Sequence, residues 1–132
     1  MKTIFEKIRD REIPAKFLYE TDLVMAILDI SQATKGHTLV IPKHPYPDLE
    51  HTPVDVLTHI MKATLQVVSI LNQAFSPVGY NYLSNQNEVS GQTVMHMHVH
   101  VIPRYEAGEI DLHFKPTPFN LVDVFNSIKP FI

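Results

Sequence analysis

The stretch that decides the reading runs Val94-Met95-His96-Met97-His98-Val99-His100-Val101-Ile102. A strand sends alternate side chains to opposite faces. His96, His98 and His100 are therefore expected on one face of a strand spanning 93–102, with Met95, Met97, Val99 and Val101 on the other. The apolar face should pack on a helix. Histidine is not a favoured strand residue, so three at strict spacing ask for a chemical reason. A shared metal ion is a poor one. At about 3.3 Å per residue the Cα atoms of His96 and His100 lie about 13 Å apart, whereas zinc–nitrogen bonds of about 2 Å demand close convergence. No cysteine is present to help, and any further ligand would be His37 or an acid. Nucleophilic chemistry suits the row better. Neutral imidazole attacks electrophiles near neutral pH, and a neighbouring imidazole can protonate a leaving group. The loop Ser90-Gly91-Gln92-Thr93, just before the row, offers backbone N–H groups for phosphoryl oxygens.

Working outward, Thr3-Ile4-Phe5-Glu6 has the form of a capping box opening a short helix. Strands are expected over 16–19 and 23–30, the second an apolar run interrupted by Asp29, and over 36–42, stopped by Pro42. The proline-rich segment 42–53 reads as a loop. A long helix follows, with Thr52 as N-cap, Pro53 at N1 and Asp55 at N3. Leu57, Ile60, Met61, Thr64, Val68, Leu71 and Phe75 keep its 3.6 period until Ser76-Pro77. A strand over 80–83 and a polar turn over 85–91 lead into the histidine strand. Leu121, Phe125 and Ile128 give the tail, 117–128, the spacing of a short helix. Strands predominate and no βαβ alternation appears. The expectation is one α+β domain over 1–132, built on an antiparallel sheet.

Composition bounds the function. The 132 residues are 45% apolar and carry twelve Phe and Tyr, enough for one ordinary core and against disorder. The absence of cysteine excludes disulfides and fits a reducing compartment such as the cytoplasm. MKTIFEKIRD has no apolar h-region, so no secretory signal is expected, nor a membrane partner. A net charge of −3 with scattered Lys and Arg argues against nucleic acid as a partner.

His96-Met97-His98-Val99-His100-Val101-Ile102 resembles the signature of the histidine-triad (HIT) family, in which histidines alternate with apolar residues. Asp29-Ile30-Ser31, Gly36-His37-Thr38 through Lys43, Tyr80 to Leu83, Asn85, Gly91-Gln92-Thr93 and Ile102-Pro103-Arg104 extend the resemblance over about 3–104, closest to the Hint-like branch. The tail, 105–132, is the divergent part. The resemblance implies a five-stranded antiparallel sheet with a long helix and a short N-terminal helix, dimerising into a ten-stranded sheet. It implies a purine nucleoside phosphoramidase of the adenosine 5′-monophosphoramidase kind, cleaving at the α-phosphorus through a nucleotidyl-histidine. The alternatives are a dinucleoside polyphosphate hydrolase, or a nucleotide-binding protein with vestigial catalysis. By the same resemblance His98 is the nucleophile, His100 assists the leaving group, His96 supports the row and His37 stands beside the nucleophile. Asp29 and Ile30 would hold the nucleoside; Asn85, Gly91, Gln92 and Thr93 would face the phosphate. Asp29 as a strand end, His37 as a core histidine, and Asn85 and Gly91 as plain turn residues remain open beside these roles. Many relatives carry Cys-x-x-Cys where Thr3 and Glu6 stand, as half of a structural zinc site. Zinc is therefore not carried over, although His51 and His96 remain conceivable ligands, and no cofactor is expected. Some Hint-like enzymes also use a tryptophan near the C-terminus, and this chain has none.

Overall fold

Residues 1–132 are described by a computed structural model. Thr3 and Glu6 form the expected capping box and start α1 (Ile4–Arg9), which buries Phe5 and Ile8. Five strands follow: β1 (Phe17–Glu20), β2 (Val24–Leu28), β3 (Thr38–Pro42), β4 (Gly79–Leu83) and β5 (Val99–Arg104). They form one sheet in the order β1-β2-β3-β5-β4, antiparallel at every pairing. The α+β architecture read from the sequence is the one observed.

Helix α2 (Val54–Phe75) covers one face of the sheet. It is long and apolar enough to cross a membrane by length and composition, but Ile60, Ala63, Val67 and Leu71 are buried against Val24, Ala26, Val40, Val99 and Val101. Two expectations about it are corrected. Its N-cap is Pro53, without a side-chain cap, because Thr52 turns inward and donates to the Asp48 carbonyl at 2.6 Å. Its buried face is also rotated. Met61 and Leu65 are 50% and 68% exposed, since the helix carries apolar residues on two faces and the sheet takes only one.

On the opposite face, Phe5 and Ile8 of α1 join Met25, Ile27, Leu39 and Ile41 in a second cluster. Gly36 holds the β2–β3 connection close to α2. Its φ is +97°, and a Cβ there would meet Leu71 Cδ2 at 3.1 Å, so a side chain would be strained in its backbone and would push on Leu71. Helix α3 (Leu121–Ile128) starts later than expected, capped by Asn120, whose Oδ1 accepts from the Val122 and Asp123 amides.

Candidate active site

The histidine row straddles the start of β5. The expected strand over 93–102 is shorter at its front: pairing begins at Val99. The reason is Pro42. Continuing the register Val40↔Val99 would set Pro42 opposite Met97, and proline has no N–H for the ladder. The Met97 amide bonds to the Tyr46 carbonyl instead, at 2.7 Å. Alternation nevertheless persists through the unpaired segment. Met97, Val99 and Val101 join the α2 cluster, while His96 and His98 meet the Phe5 ring edge-on at 5.4 and 5.0 Å. Met95 departs from the expected apolar face and is 49% exposed.

The hydrogen bonds fix which nitrogen of each ring carries the proton. A carbonyl only accepts, so His98 Nδ1–H donates to the His96 carbonyl at 2.7 Å. His98 Nε2 then holds the lone pair. No hydrogen bond involves that atom, yet no buried polar atom lacks a partner, so Nε2 opens to solvent. His96 Nε2–H donates to the Pro42 carbonyl at 2.7 Å, leaving Nδ1 to accept from the Thr3 hydroxyl, also at 2.7 Å. Thr3 Oγ1 itself accepts from the Glu6 amide. Burial lowers the pKa of His96 and of His98 below the ordinary histidine value, so both rings are neutral near pH 7.

His37 is placed differently from the expectation: it pairs with His100, not with His98. His37 Nε2 lies 2.9 Å from His100 Nδ1 and 3.5 Å from Asp29 Oδ2. The Ala33 amide donates to His37 Nδ1 at 3.1 Å, which puts the proton of the neutral ring on Nε2, facing His100. His100 then accepts at Nδ1 and carries its own proton on Nε2, an atom with no partner in the protein. Burial, helped by His98 and His37, pushes His100 down to about 4. Burial also lowers His37, against the opposing charge of Asp29.

Asp29 Oδ1 accepts from the Ser31 amide at 2.8 Å, and the adjacent Ile30 is 98% exposed. Carboxylate and apolar side chain thus stand at the mouth of the site. Gly91 has φ +100°, and a Cβ there would meet Asn85 Nδ2 at 3.3 Å, so Asn85 packs beneath the turn. Thr93 is exposed. Gln92 does not reach outward. It is buried, its amide donates to the Pro47 and Val94 carbonyls, and its oxygen accepts from the Asn87 amide. It ties two loops together behind the site.

Asp29, His37 and His100 place ligand-type atoms within 4.8 Å of one another. A cation on His37 Nε2 would drive that ring's proton onto Nδ1, against the Ala33 N–H, so the cluster is better suited to passing protons. The zinc site of Cys-x-x-Cys relatives does not fit either. Both His96 nitrogens are engaged by Thr3 and Pro42, Glu6 holds the Thr3 amide, and the exposed His51 pairs with Asp48.

Sequence reasoning did not place Thr3, Phe5 or Ser84 at this site. Ser84 Oγ donates to the His98 carbonyl at 2.9 Å. The capping box was a visible signal, but its bond to His96 spans 93 residues.

The HIT domain family matches residues 10–107. An uncharacterized HIT-like protein of Methanocaldococcus jannaschii is 42% identical over 96% of this chain and 98% of its own. An Arabidopsis thaliana adenylylsulfatase is 37% identical over 78% of this chain and 52% of its own. A Candida albicans adenosine 5′-monophosphoramidase is 36% identical over 76% of this chain and 69% of its own. A solved HIT-family structure from Bacillus subtilis superposes with a TM-score of 0.87 at 36% identity, covering 100% of this chain and 98% of that one.

Proposed function

Because the chain belongs to the HIT family, we propose that it hydrolyses purine nucleoside phosphoramidates at the α-phosphorus, in the cytoplasm and as a homodimer. One observation carries the chemistry: His98 presents an open Nε2 lone pair while its Nδ1–H is held by the His96 carbonyl at 2.7 Å. Attack by Nε2 on phosphorus forms an N–P bond and leaves the ring positive. That charge develops on an Nδ1–H already bonded to a carbonyl, so no reorganisation is needed to stabilise it.

The anionic phosphate favours a proton on the His100–His37 pair, taken from solvent as substrate binds. His100 Nε2–H passes it to the leaving nitrogen as the P–N bond breaks. In the second step water attacks phosphorus and its proton goes to His100. The P–Nε2 bond breaks, which frees the mononucleotide and restores His98. Asp29, with one oxygen free of backbone bonds, supports ribose binding, and Ile30 offers an apolar face for the base.

Self-association is supported by a second apolar stripe on α2. Val54, Met61 and Leu65 are 78%, 50% and 68% exposed, and β4, with Tyr82 and Leu83, is a free edge of the sheet. The two relatives that carry a named activity differ in leaving group, so the test is a panel. Adenosine and guanosine phosphoramidates, adenylyl sulfate and dinucleoside polyphosphates are assayed for mononucleotide release. Acid-free quenching and intact-mass analysis should trap a nucleotidyl adduct that maps to His98. Preference for another leaving group removes the phosphoramidate assignment, and an adduct on His96 or His100 removes the mechanism.

A further inference from the structure

Proton uptake by the His37–His100 pair meets an obstacle on its inner side. The pair shares one proton between His37 Nε2 and His100 Nδ1, and a further proton needs a free lone pair. His37 Nδ1 offers none, because the Ala33 N–H occupies it at 3.1 Å. That amide is held in place from both sides. Before it, Gln32 closes the connection between β2 and β3 with three bonds. Its Nε2 donates to the Asp29 and His37 carbonyls at 2.6 and 2.7 Å, and its Oε1 accepts from the Gly36 amide at 2.8 Å. After it, the buried Thr34 hydroxyl donates to the Pro103 carbonyl. The inner lone pair that remains is on His100 Nδ1, and His37 Nε2–H points at it. A proton enters there only when the His37 N–H has another acceptor.

Asp29 stands where that acceptor is needed. Its backbone is fixed at both polar groups: the amide donates to the His37 carbonyl at 3.0 Å and the carbonyl accepts from Gln32. Oδ1 accepts from the Ser31 amide, which leaves Oδ2 facing the rings, 3.5 Å from His37 Nε2. That is just beyond hydrogen-bond length, so a small turn of the ring moves its N–H from one acceptor to the other. One ligand-type atom from each of Asp29, His37 and His100 lies within 4.8 Å of the others. The carboxylate raises the proton affinity of both rings against their burial. The other titratable neighbour of His100 is His98, which is neutral. Lys35, on the same connection, turns its ammonium over the Phe75 ring instead.

We propose that Asp29, besides its part in ribose binding, is the counter-ion that admits a proton to the leaving-group histidine. As substrate binds, His37 Nε2–H turns from His100 to Asp29 Oδ2, and a proton from solvent enters at His100 Nδ1, facing the same carboxylate. His100 gives its Nε2–H to the leaving nitrogen as the P–N bond breaks and recovers a proton there from the attacking water. The Nδ1 proton returns to solvent as the mononucleotide leaves, and His37 swings back. The Ala33 bond persists throughout. A carboxylate offers about four acceptor sites; Ser31, His37 and His100 take three, and one is left for a ribose hydroxyl. The inference deepens the phosphoramidase reading and rests on it for its kinetics alone.

Asp29→Asn keeps the size of the side chain and an oxygen for the Ser31 amide, and removes the charge. A role in ribose binding alone would raise KM by one factor for every leaving group, and would vanish on nucleotides that lack both ribose hydroxyls. The counter-ion role gives a different pattern. At saturation, the single-turnover rate with an alkylamine leaving group should fall about tenfold or more, with or without the ribose hydroxyls. With the p-nitrophenyl ester of adenosine monophosphate, whose leaving group needs no proton, it should stay near wild type. Nitrogen-15 spectra of labelled histidine give a reading without substrate. On acid titration His100 should take its proton at Nδ1, at a lower pH in Asp29→Asn than in wild type, while wild-type His37 keeps Nδ1 bare. A loss confined to KM, an equal loss with both leaving groups, or an unchanged His100 titration overturns the proposal. A wild-type protein that turns over neither substrate removes the proposed function instead, and the spectra then decide the counter-ion by themselves.

Discussion

Replacing Thr3 by valine preserves the shape of the side chain and deletes its hydroxyl, which does two jobs at once. As N-cap it accepts the Glu6 amide, and it donates to Nδ1 of the fully buried His96. Loss of a cap costs about 1 kcal/mol. Leaving a buried acceptor unpaired costs about 1–3 kcal/mol more. The sum, about 2–4 kcal/mol, is a large share of the roughly 5–15 kcal/mol that holds a domain together, yet the variant should fold. Urea unfolding monitored by far-ultraviolet circular dichroism measures the difference, and Thr3→Ser, which keeps the hydroxyl, should recover most of it. Nitrogen-15 spectra of labelled histidine supply the second reading: His96 Nδ1 should shift toward a free acceptor in Thr3→Val and not in Thr3→Ser. A loss of stability below about 0.5 kcal/mol, within the range of ordinary surface substitutions, would refute the bond between capping box and triad.

Further outcomes follow from the same geometry. His98→Ala should abolish turnover while nucleotide binding, measured calorimetrically, survives. His100→Ala should lose roughly 10²–10⁴-fold in kcat, less with good leaving groups, and His37→Ala less still. Steady-state assays that find His98→Ala active would sink this order. Because His37, His96, His98 and His100 all have folded pKa values lowered by burial, the unfolded chain binds more protons just below its own value of about 6.5. Stability should therefore be flat above that pH and fall as pH drops through it. His100, at about 4, contributes up to about 3 kcal/mol between those limits; denaturant titrations from pH 7 to pH 4 that show no decline would count against neutral buried rings. Turnover should survive exhaustive chelation, and a loss restored by zinc or magnesium would return the metal reading.

The alternation of histidine with Met97, Val99 and Val101 was enough to separate a chemical face from a packing face, because the period of two is local. It was not enough to give the strand its length. That depended on Pro42, a residue 55 positions before Met97, and on the carbonyl of Tyr46. The same limit explains α2. Its 3.6 period was plain, but two apolar faces share it, and only the sheet decides that Val56, Ile60, Ala63, Val67 and Leu71 go inside. His37 was legible as a site residue, while its partner was not. The register pairs Leu39 with His100, and that cross-strand pairing, invisible in one dimension, brings His37 to the third histidine rather than the second.

The four histidines are held by two separate sets of hydrogen bonds, each with a direction. Thr3 donates to His96, His96 donates to Pro42, and His98 donates back to the carbonyl of His96, while His37 donates to His100. Each inward bond ends on a backbone carbonyl or on another ring, so the protein uses up one nitrogen of His98 and one of His100 and leaves the other outward. The two outward atoms are unlike. His98 Nε2 is a lone pair and His100 Nε2 is a proton, and the rings stand 5.1 Å apart between centroids. The proposed displacement at phosphorus needs a nucleophile beside a proton-bearing nitrogen; the tautomers supply that arrangement, and the proton taken up with substrate makes His100 acidic enough to donate. The two polarities have different sources: the backbone carbonyl of His96, within the row, sets the first, and the Ala33 amide acting through His37, outside it, sets the second. That makes the 29–37 connection as much a part of the chemistry as the row itself.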